Sequence, residues 1–239
     1  MQIQNSNINF QGTKLKYQKL EHIVRNTNNQ FPRISPYRVN MRFGKKLVSQ
    51  RFFEWIGRLG ETVDLNRQKT SRKDYIRVIK NDIENVKDSK LGDCGESTAL
   101  TLASLIANKI DNFKVGLLVF DIDIRKKDKK ENCVTRSFNT THEFVVLNAD
   151  KKEITHKNGD KPNKNIVIMD AWMGYCGNVQ KAFEKFIEVF MNGNKKLTDD
   201  NGYEYTYKPR IMLLDLGIKL TDKLSKEFAK NYPELVIDD

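Results

Sequence analysis

The 239-residue sequence contains little cysteine, and the cysteines that it has are widely separated. Cys94, Cys133 and Cys176 are an odd number, and no two of them have the Cys-x-x-Cys spacing of a zinc ribbon. This pattern argues against the disulfide framework of a small secreted domain and predicts that the protein works with reduced thiols.

Targeting segments are also missing from the sequence. The first residues are polar and rich in Asn, without the basic region and apolar stretch of a secretory signal. No apolar run approaches the roughly 20 residues that a membrane-spanning helix needs. We therefore expect neither classical secretion nor membrane insertion, whereas a polar, Asn-rich start is compatible with export by a specialised injection system.

The composition is that of a globular protein. Hydrophobic residues make up 38% of the chain and charged residues 31%, a balance that supports one well-buried core at this length. The polar stretch 1–45 has a short apolar pattern only at 16–25. We expect a polar N-terminal arm over 1–45 and one folded domain over 46–239.

The formal net charge is +11, which attracts anionic partners such as nucleic acid, acidic lipid headgroups or an acidic protein. Basic clusters occur at 44–46 and 125–130, and neither has the interleaved aromatic residues of a base-stacking platform. We therefore expect no DNA partner. A protein partner with an acidic surface is the expected one, and peripheral contact with an anionic membrane is compatible with the charge.

Apolar spacing predicts an α+β fold. Period-3.6 patterns predict helices at 16–25, 47–63, 71–88, 94–110, 177–191 and 221–230. Strand patterns occur at 113–124, 141–148, 165–171 and 210–216. Because helices come first and most strands follow one another without a long crossover, the sheet is predicted to be mostly antiparallel.

Three polar residues of catalytic type fall on separate elements, in the order Cys94, His142 and Asp170. Cys94 begins an apolar helix, where the helix dipole favours the nucleophilic thiolate form. His142 begins an apolar strand and can accept the thiol proton, while Asp170 ends the next strand and can fix the tautomer of the imidazole. This order predicts a Cys-His-Asp triad.

The residues around Cys94 suit the stabilisation of an oxyanion. The backbone N–H of Cys94 would point out of the helix N-terminus, and Gly92 and Gly95 would let a substrate approach the backbone. Trp172, two residues after Asp170, either shields the site or covers the core. The chemistry requires no cofactor, and the lack of a close ligand pair argues against a metal site.

Each of these residues also has a structural interpretation. Cys94 could be a packed thiol, His142 a strand-edge histidine and Asp170 a strand-ending turn residue. Glu143 should face away from His142 because neighbouring strand residues alternate in direction. Among the other candidate bases and nucleophiles, the following are expected to be structural or incidental: His22, His156, Cys133 and Cys176.

Together the motifs resemble those of a known family. The stretch from Gly92 to Glu96 that opens a helix, His142 before an apolar strand, and Asp170-Ala171-Trp172 closing the next strand are similar to the papain/transglutaminase-like cysteine hydrolases. Within them, the resemblance is to the bacterial effector and toxin branch that includes the Pasteurella multocida toxin catalytic domain. Ala171 stands where that branch commonly has proline.

The resemblance implies a fold and an activity. The nucleophile helix would pack on an antiparallel sheet that carries His142 and Asp170, and 46–239 would be the catalytic domain. The branch typically converts a glutamine side chain of a host protein to glutamate, while relatives cleave peptides or transfer acyl groups. We expect a glutamine deamidase, monomeric and exported from the bacterial cytoplasm into a host cell. The alternatives are a cysteine protease, an acyltransferase of the transglutaminase kind, or a basic, non-enzymatic binding module.

Overall fold

A computed structural model describes residues 10–33, 35, 74–126, 134–155, 165–200 and 202–237. The helix predicted at 47–63 and the boundary predicted between residues 45 and 46 lie outside these ranges. Cys133 and His156 also lie outside them, and the division of the chain into an arm and a domain stays a prediction.

The described residues include five α-helices and a short 3-10 helix. Their bounds are α1 (Phe10–Gln30), α2 (Tyr75–Ser89), α3 (Cys94–Ala107), α4 (Val179–Met191), α5 (Asp222–Asn231) and η1 (Pro233–Leu235). Three of the α-helices begin where a polar side chain accepts a hydrogen bond from a backbone N–H of the first turn. The capping residues are Asp74 for α2, Asn178 for α4 and Thr221 for α5.

Seven strands form one antiparallel sheet in the described part of the chain. Their bounds are β1 (Phe113–Lys126), β2 (Val134–Leu147), β3 (Glu153–Thr155), β4 (Val167–Asp170), β5 (Tyr175–Asn178), β6 (Lys196–Thr198) and β7 (Tyr203–Leu214). The strand order is β3-β7-β1-β2-β4-β5, and β6 pairs with the first part of β7. The prediction of an α+β fold with an antiparallel sheet is therefore confirmed.

The sheet has a hydrophobic core on each face. Helices α1, α2, α3 and α5 pack with one face, to which Val145 and Leu147 of β2 contribute. Helix α4 packs with the opposite face, to which Phe144 and Val146 contribute. This strict alternation along β2 follows from the two-residue repeat of a strand and identifies which helix each side chain can meet.

Helix α1 is longer than the sequence indicates and belongs to the core. The predicted short helix at 16–25 is the middle of a 21-residue helix. Its residues Leu20, Ile23 and Val24 are buried in the same cluster as α2, α3 and α5. Residues 10–30 of the predicted polar arm thus form a helix that packs in the core, because its few apolar side chains recur on one face.

Strand β2 begins seven residues before the predicted start at 141 and contains an irregularity beside His142. The pairing with β1 passes from Leu117 opposite Glu143 to Val119 opposite Asn139. Three residues of β2, 140–142, therefore stand opposite the single residue Leu118. Such a bulge bends a strand and re-aims its side chains, and bulges are over-represented next to active sites.

Among the described helices, none combines the length and the apolar character that crossing a bilayer requires.

Candidate functional site

Cys94 is the first residue of α3, and the N-terminus of this helix is held by its own side chains. The backbone N–H of Asp93, the N-cap residue, donates to the Glu96 carboxylate at 2.8 Å. The Ser97 hydroxyl donates to the Asp93 carbonyl at 2.7 Å. The half-buried Cys94 thiol therefore lies at a rigid helix end whose partial positive charge favours an anion.

His142 and Asp170 form a buried pair on neighbouring strands. His142 Nε2 lies 2.6 Å from Asp170 Oδ2, and the two side chains are 3% and 1% exposed. The second carboxylate oxygen, Oδ1, accepts the backbone N–H of Met173 at 2.9 Å in the turn after β4. Both oxygens of Asp170 are thus engaged, and the carboxylate has a fixed orientation towards the imidazole.

The imidazole of His142 also meets the nucleophile candidate. Burial, the largest single influence, lowers the pKa of His142, but the charge and hydrogen bond of Asp170 and a hydrogen bond with Cys94 together raise it well above 6.5. Because Nε2 is bonded to Asp170, Nδ1 is the ring nitrogen that faces the Cys94 sulfur. The structure therefore brings Cys94, His142 and Asp170 together in one line of contacts.

Four aromatic rings enclose the imidazole of His142. The ring centroids of Phe144, Trp172, Phe186 and Phe190 lie 5.1–5.9 Å from that of His142. Two of these rings come from α4. The apolar spacing of this helix predicts that it is buried, but the spacing does not indicate that it lies beside His142. The enclosure shields most of the ring from bulk solvent and strengthens its interaction with Asp170, because charges interact more strongly where the local dielectric is low.

A hydrogen-bonded bridge through Ser35 links the two halves of the site. Trp172 Nε1 donates to the Ser35 hydroxyl oxygen at 2.9 Å, and the Ser35 hydroxyl donates to the Asp93 carboxylate. We call these three residues the Ser35 bridge. It connects the turn after Asp170 with the N-cap of the helix that carries Cys94, and sequence reasoning missed it because Ser35 falls in the predicted arm.

A second connection runs parallel to the Ser35 bridge. Arg33 donates to the Ser97 hydroxyl from Nη2 at 2.7 Å and to the Asn28 side-chain oxygen at 3.1 Å. Asn28 in turn donates to the Ala171 carbonyl at 2.8 Å. The end of α1 and the residues after it thus hold the start of α3 against the turn between β4 and β5.

The glycines predicted to admit a substrate have different surroundings. Gly92 is buried, and a Cβ placed on it would lie 3.0 Å from the Glu96 Cβ and 3.1 Å from Arg33 Cδ. Its lack of a side chain serves packing within the chain, and its role beside a substrate stays a prediction. Gly95 is half-buried and lines a pocket. Trp172 is buried over His142 and shields the histidine.

Two further residues lie where the sequence interpretation expects them, apart from the triad. Cys176 lies on β5, and burial, with a smaller effect of the Glu21 charge, raises the pKa of its thiol to about 12. Glu143 lines the pocket beside α3, on the sheet face opposite the aromatic rings around His142.

Within the described ranges, no group of three or more His, Cys, Asp and Glu side chains is arranged to hold a metal ion. Comparison of the chain with protein-family models, with curated protein sequences and with solved structures gave no match.

Proposed function

We propose that the protein is a cysteine-dependent amide hydrolase in which Cys94, His142 and Asp170 form the catalytic triad. The observation that carries the proposal is the position of the His142 ring, bonded to Asp170 at 2.6 Å on one side and to the Cys94 thiol on the other. A histidine held between a carboxylate and a thiol can take the thiol proton and return it to a leaving group.

The contacts support a two-step reaction. The Cys94 thiolate attacks a carboxamide carbon, and the backbone N–H at the start of α3 donates to the oxyanion that forms. His142 gives its proton to the departing nitrogen, so that ammonia leaves and a thioester remains. Water then loses a proton to His142 and attacks the thioester, which releases a carboxylate and restores the Cys94 thiol. One amide and one water are consumed for one carboxylate and one ammonia.

The side-chain amide of a glutamine in a protein is the substrate that we propose. The choice of glutamine and of a host protein comes from the resemblance to the bacterial effector branch. The same resemblance is the basis for proposing that α3 and the sheet form a papain/transglutaminase-like core. The net charge of +11 would steer a substrate with an acidic surface towards the enzyme. A peptide bond attacked by the same triad would give a cysteine protease.

Selective alkylation tests the nucleophile. We expect iodoacetamide to modify Cys94 much faster than Cys176, because Cys94 contacts an imidazole that can hold the thiolate while burial raises the pKa of Cys176 to about 12. Peptide mass mapping over time measures both rates. His142→Ala should slow the modification of Cys94 alone. Equal, slow modification of all three cysteines would contradict the triad.

Mass analysis of candidate substrate proteins shows whether a side-chain amide or a peptide bond is hydrolysed. Deamidation replaces a glutamine carboxamide by a carboxylate with the chain intact, whereas proteolysis divides the chain. Cys94→Ala should abolish either product, with Cys176→Ala as the matched control that retains it. A binding module without catalysis would instead yield no product with the wild-type protein, and its binding to an anionic partner would weaken steeply with salt in both variants.

A further inference from the structure

A row of apolar side chains crosses four neighbouring strands of the sheet. Ile124 of β1 pairs with one residue of β2 and one of β7, and β6 pairs with β7 at the same level. Directly paired residues lie on one side of a sheet. Across the strands β2, β1, β7 and β6, the row consists of Val134, Ile124, Tyr205 and Leu197.

This row lies beyond the end of the hydrophobic core, on the side where α4 packs. Phe120 is the last residue of β1 among the described core residues and belongs to the cluster with α4. Ile124 follows it by four residues and therefore faces the same side. Two further tyrosines of β7 flank the row on that side. We call the six residues the tyrosine face: Ile124, Val134, Leu197, Tyr203, Tyr205 and Tyr207.

The tyrosine face is exposed at its ends. Val134, Leu197 and Tyr203 are 50%, 42% and 38% exposed, and they make up half of the six exposed large apolar side chains in the described part of the chain. Single exposed apolar residues are normal, but a contiguous group with a polar rim marks a binding surface.

The rim of the tyrosine face is cationic. Lys126 pairs with Tyr203, and its Nζ lies 5.8 Å from the centre of the tyrosine ring. Arg136 lies in the same row of the sheet as Tyr207. At the other end of that row is Lys195, whose carbonyl accepts the Tyr207 N–H at 2.9 Å. All three cationic side chains are exposed.

The carboxylates of the same strands lie on the opposite side of the sheet. Among the described strand residues that share the side of the tyrosine face, none is Asp or Glu. Asp199 contacts the edge of the face, where its oxygens accept the Tyr203 N–H and the Tyr205 hydroxyl, each at 2.8 Å. The strand carboxylates that alternation directs to the other side are Asp121, Asp123 and Glu204.

We propose that the tyrosine face binds an acidic segment of the substrate protein. Apolar side chains of the segment pack on the row, and its Asp and Glu side chains meet Lys126, Arg136 and Lys195. Tyrosine and arginine are enriched at protein interfaces, and the segregation of charge between the two sides of the sheet selects an acidic partner. The identification of this partner as the substrate rests on the proposed function.

The tyrosine face and the triad share strand β2. Arg136 and His142 are six residues apart on it, which is at most roughly 20 Å along a strand. A segment bound to the tyrosine face would therefore be distinct from the one that carries the target amide, but close enough to hold that amide near Cys94.

Selection from a random 12-residue peptide library displayed on phage tests the chemistry of the surface. We expect the peptides enriched on the wild-type protein to combine Asp and Glu with aromatic or aliphatic residues. Fluorescence anisotropy of the synthetic peptides gives their affinities. Lys126→Glu and Leu197→Ser should each weaken binding roughly tenfold.

Lys196→Glu is the matched control. Lys196 is an exposed lysine of β6 next to Leu197, but it pairs with Thr206 on the other side of the sheet. The substitution makes the same change of charge as Lys126→Glu and should keep the wild-type affinity. Circular dichroism checks that each variant is folded.

A tethered electrophile tests whether the surface serves the triad. The tightest peptide is extended by a flexible Gly/Ser linker of about 16 residues, which spans roughly 20 Å, and ends in a chloroacetamide. Intact-mass kinetics give the rate of Cys94 alkylation, divided by the rate with iodoacetamide in the same variant. This ratio should be roughly tenfold higher for the wild type and Lys196→Glu than for Lys126→Glu, because binding raises the local concentration of the electrophile.

The results separate this inference from the proposed function. Enrichment of no acidic peptide that is sensitive to Lys126→Glu would overturn the protein partner, and so would sensitive binding of only a single-stranded oligonucleotide or phosphatidylserine vesicles. A sensitive peptide whose tethered form gives the same ratio in the wild type and Lys126→Glu would overturn docking of the substrate. Unselective modification by iodoacetamide would overturn the triad, whereas the peptide affinities test the tyrosine face independently.

Discussion

The two ring nitrogens of His142 have different partners, and this asymmetry determines its chemistry. Nε2 is bonded to Asp170, so the ring presents Nδ1 to Cys94. Burial alone would keep the imidazole neutral, and the carboxylate reverses that effect. Asp170 is therefore what makes a buried imidazolium, and with it a thiolate partner, energetically accessible.

Asp170→Asn should reverse the pH dependence of stability that His142 contributes. In the wild-type protein the raised pKa of His142 stabilises the fold fully below about pH 6.5, the ordinary value, and this contribution is lost as pH rises through the folded-state pKa. With asparagine, burial dominates and lowers the pKa, so the contribution should grow as pH rises instead.

Urea unfolding of both proteins at several pH values measures this effect. The difference in unfolding free energy between wild type and Asp170→Asn should shrink with rising pH above about pH 6.5, by at most about 1.4 kcal/mol per pH unit. The titrating groups other than Asp170 and His142 are common to both proteins and cancel in the difference. A difference that stays constant with pH would mean that Asp170 does not control the charge of His142.

The positions of Cys94, His142 and Asp170 on their elements could be predicted from the sequence, because each ends or begins an apolar run with a clear period. The placement of the Phe186 and Phe190 rings around His142 could not be predicted in this way. Their helical spacing indicates a buried helix face, but it carries no information on which sheet residue that face meets.

At the scale of elements, the site depends on holding α3 against the turn between β4 and β5. The Ser35 bridge and the contacts of Arg33 make that connection. Ser35 and Arg33 themselves lie neither in α3 nor in the turn. A displacement of α3 would misplace Cys94 relative to His142, and a misplacement of about 1 Å can cost about 100-fold in rate.

Ser35→Ala should therefore lower both the stability of the fold and the reactivity of Cys94. The substitution leaves the buried Trp172 N–H without its acceptor and removes a donor to Asp93, which should cost about 1–3 kcal/mol of unfolding free energy. We expect the rate of Cys94 alkylation by iodoacetamide to fall roughly tenfold in protein that is still folded, because the thiol and the imidazole lose their fixed relation.

Ser137→Ala is the matched control for this substitution. Ser137 also donates to a carboxylate, that of Asp121 at 2.8 Å, but at an exposed position on the sheet. Its removal should change the unfolding free energy by less than about 0.5 kcal/mol and leave alkylation unaffected. Equal effects of the two substitutions on the alkylation rate would show that the Ser35 bridge does not position the nucleophile.

The elements themselves were predictable to different degrees. The long, periodic helices α2, α3 and α4 and strand β1 follow from their apolar spacing. Strands β3 and β6 have three residues each, too few to show a period. The aromatic stretch at 203–207 belongs to β7 although it lacks the apolar alternation of a half-buried strand, because pairing with β1 along its whole length supplies its hydrogen bonds.

At the scale of the whole molecule, α1 joins regions that are far apart in the sequence. Asn26 donates to the Glu234 carbonyl near the end of the chain at 2.8 Å, and Asn28 donates to that of Ala171. Asparagine is a weak helix former, which is why the sequence indicates only a short helix here. The long-range hydrogen bonds explain why asparagines occur in this helix. No local pattern in the sequence could have revealed these bonds.

Ile23→Ala should destabilise the whole fold if α1 is part of one cooperative unit. Ile23 is fully buried in the core shared with α2, α3 and α5, so the cavity should cost about 2–5 kcal/mol. Urea unfolding followed by tryptophan fluorescence and by circular dichroism should show one transition at a lower midpoint with both probes.

His22→Ala, an exposed substitution on the same helix, is the control and should leave the midpoint within error. If α1 were instead a detachable arm, Ile23→Ala would produce an early, separate transition while the main one kept its midpoint.

The bulge in β2 keeps the backbone around His142 out of the regular ladder. Residues 140–142 fill a space that a regular ladder would fill with one residue, so two residues are extra. The pairing with β1 is regular on both sides, from Val134 to Asn139 and from Glu143 to Leu147. Loss of both extra residues would let the ladder run on through this point, and the irregular backbone that carries His142 would disappear. Related chains that keep this site should therefore keep a bulge between Asn139 and Glu143.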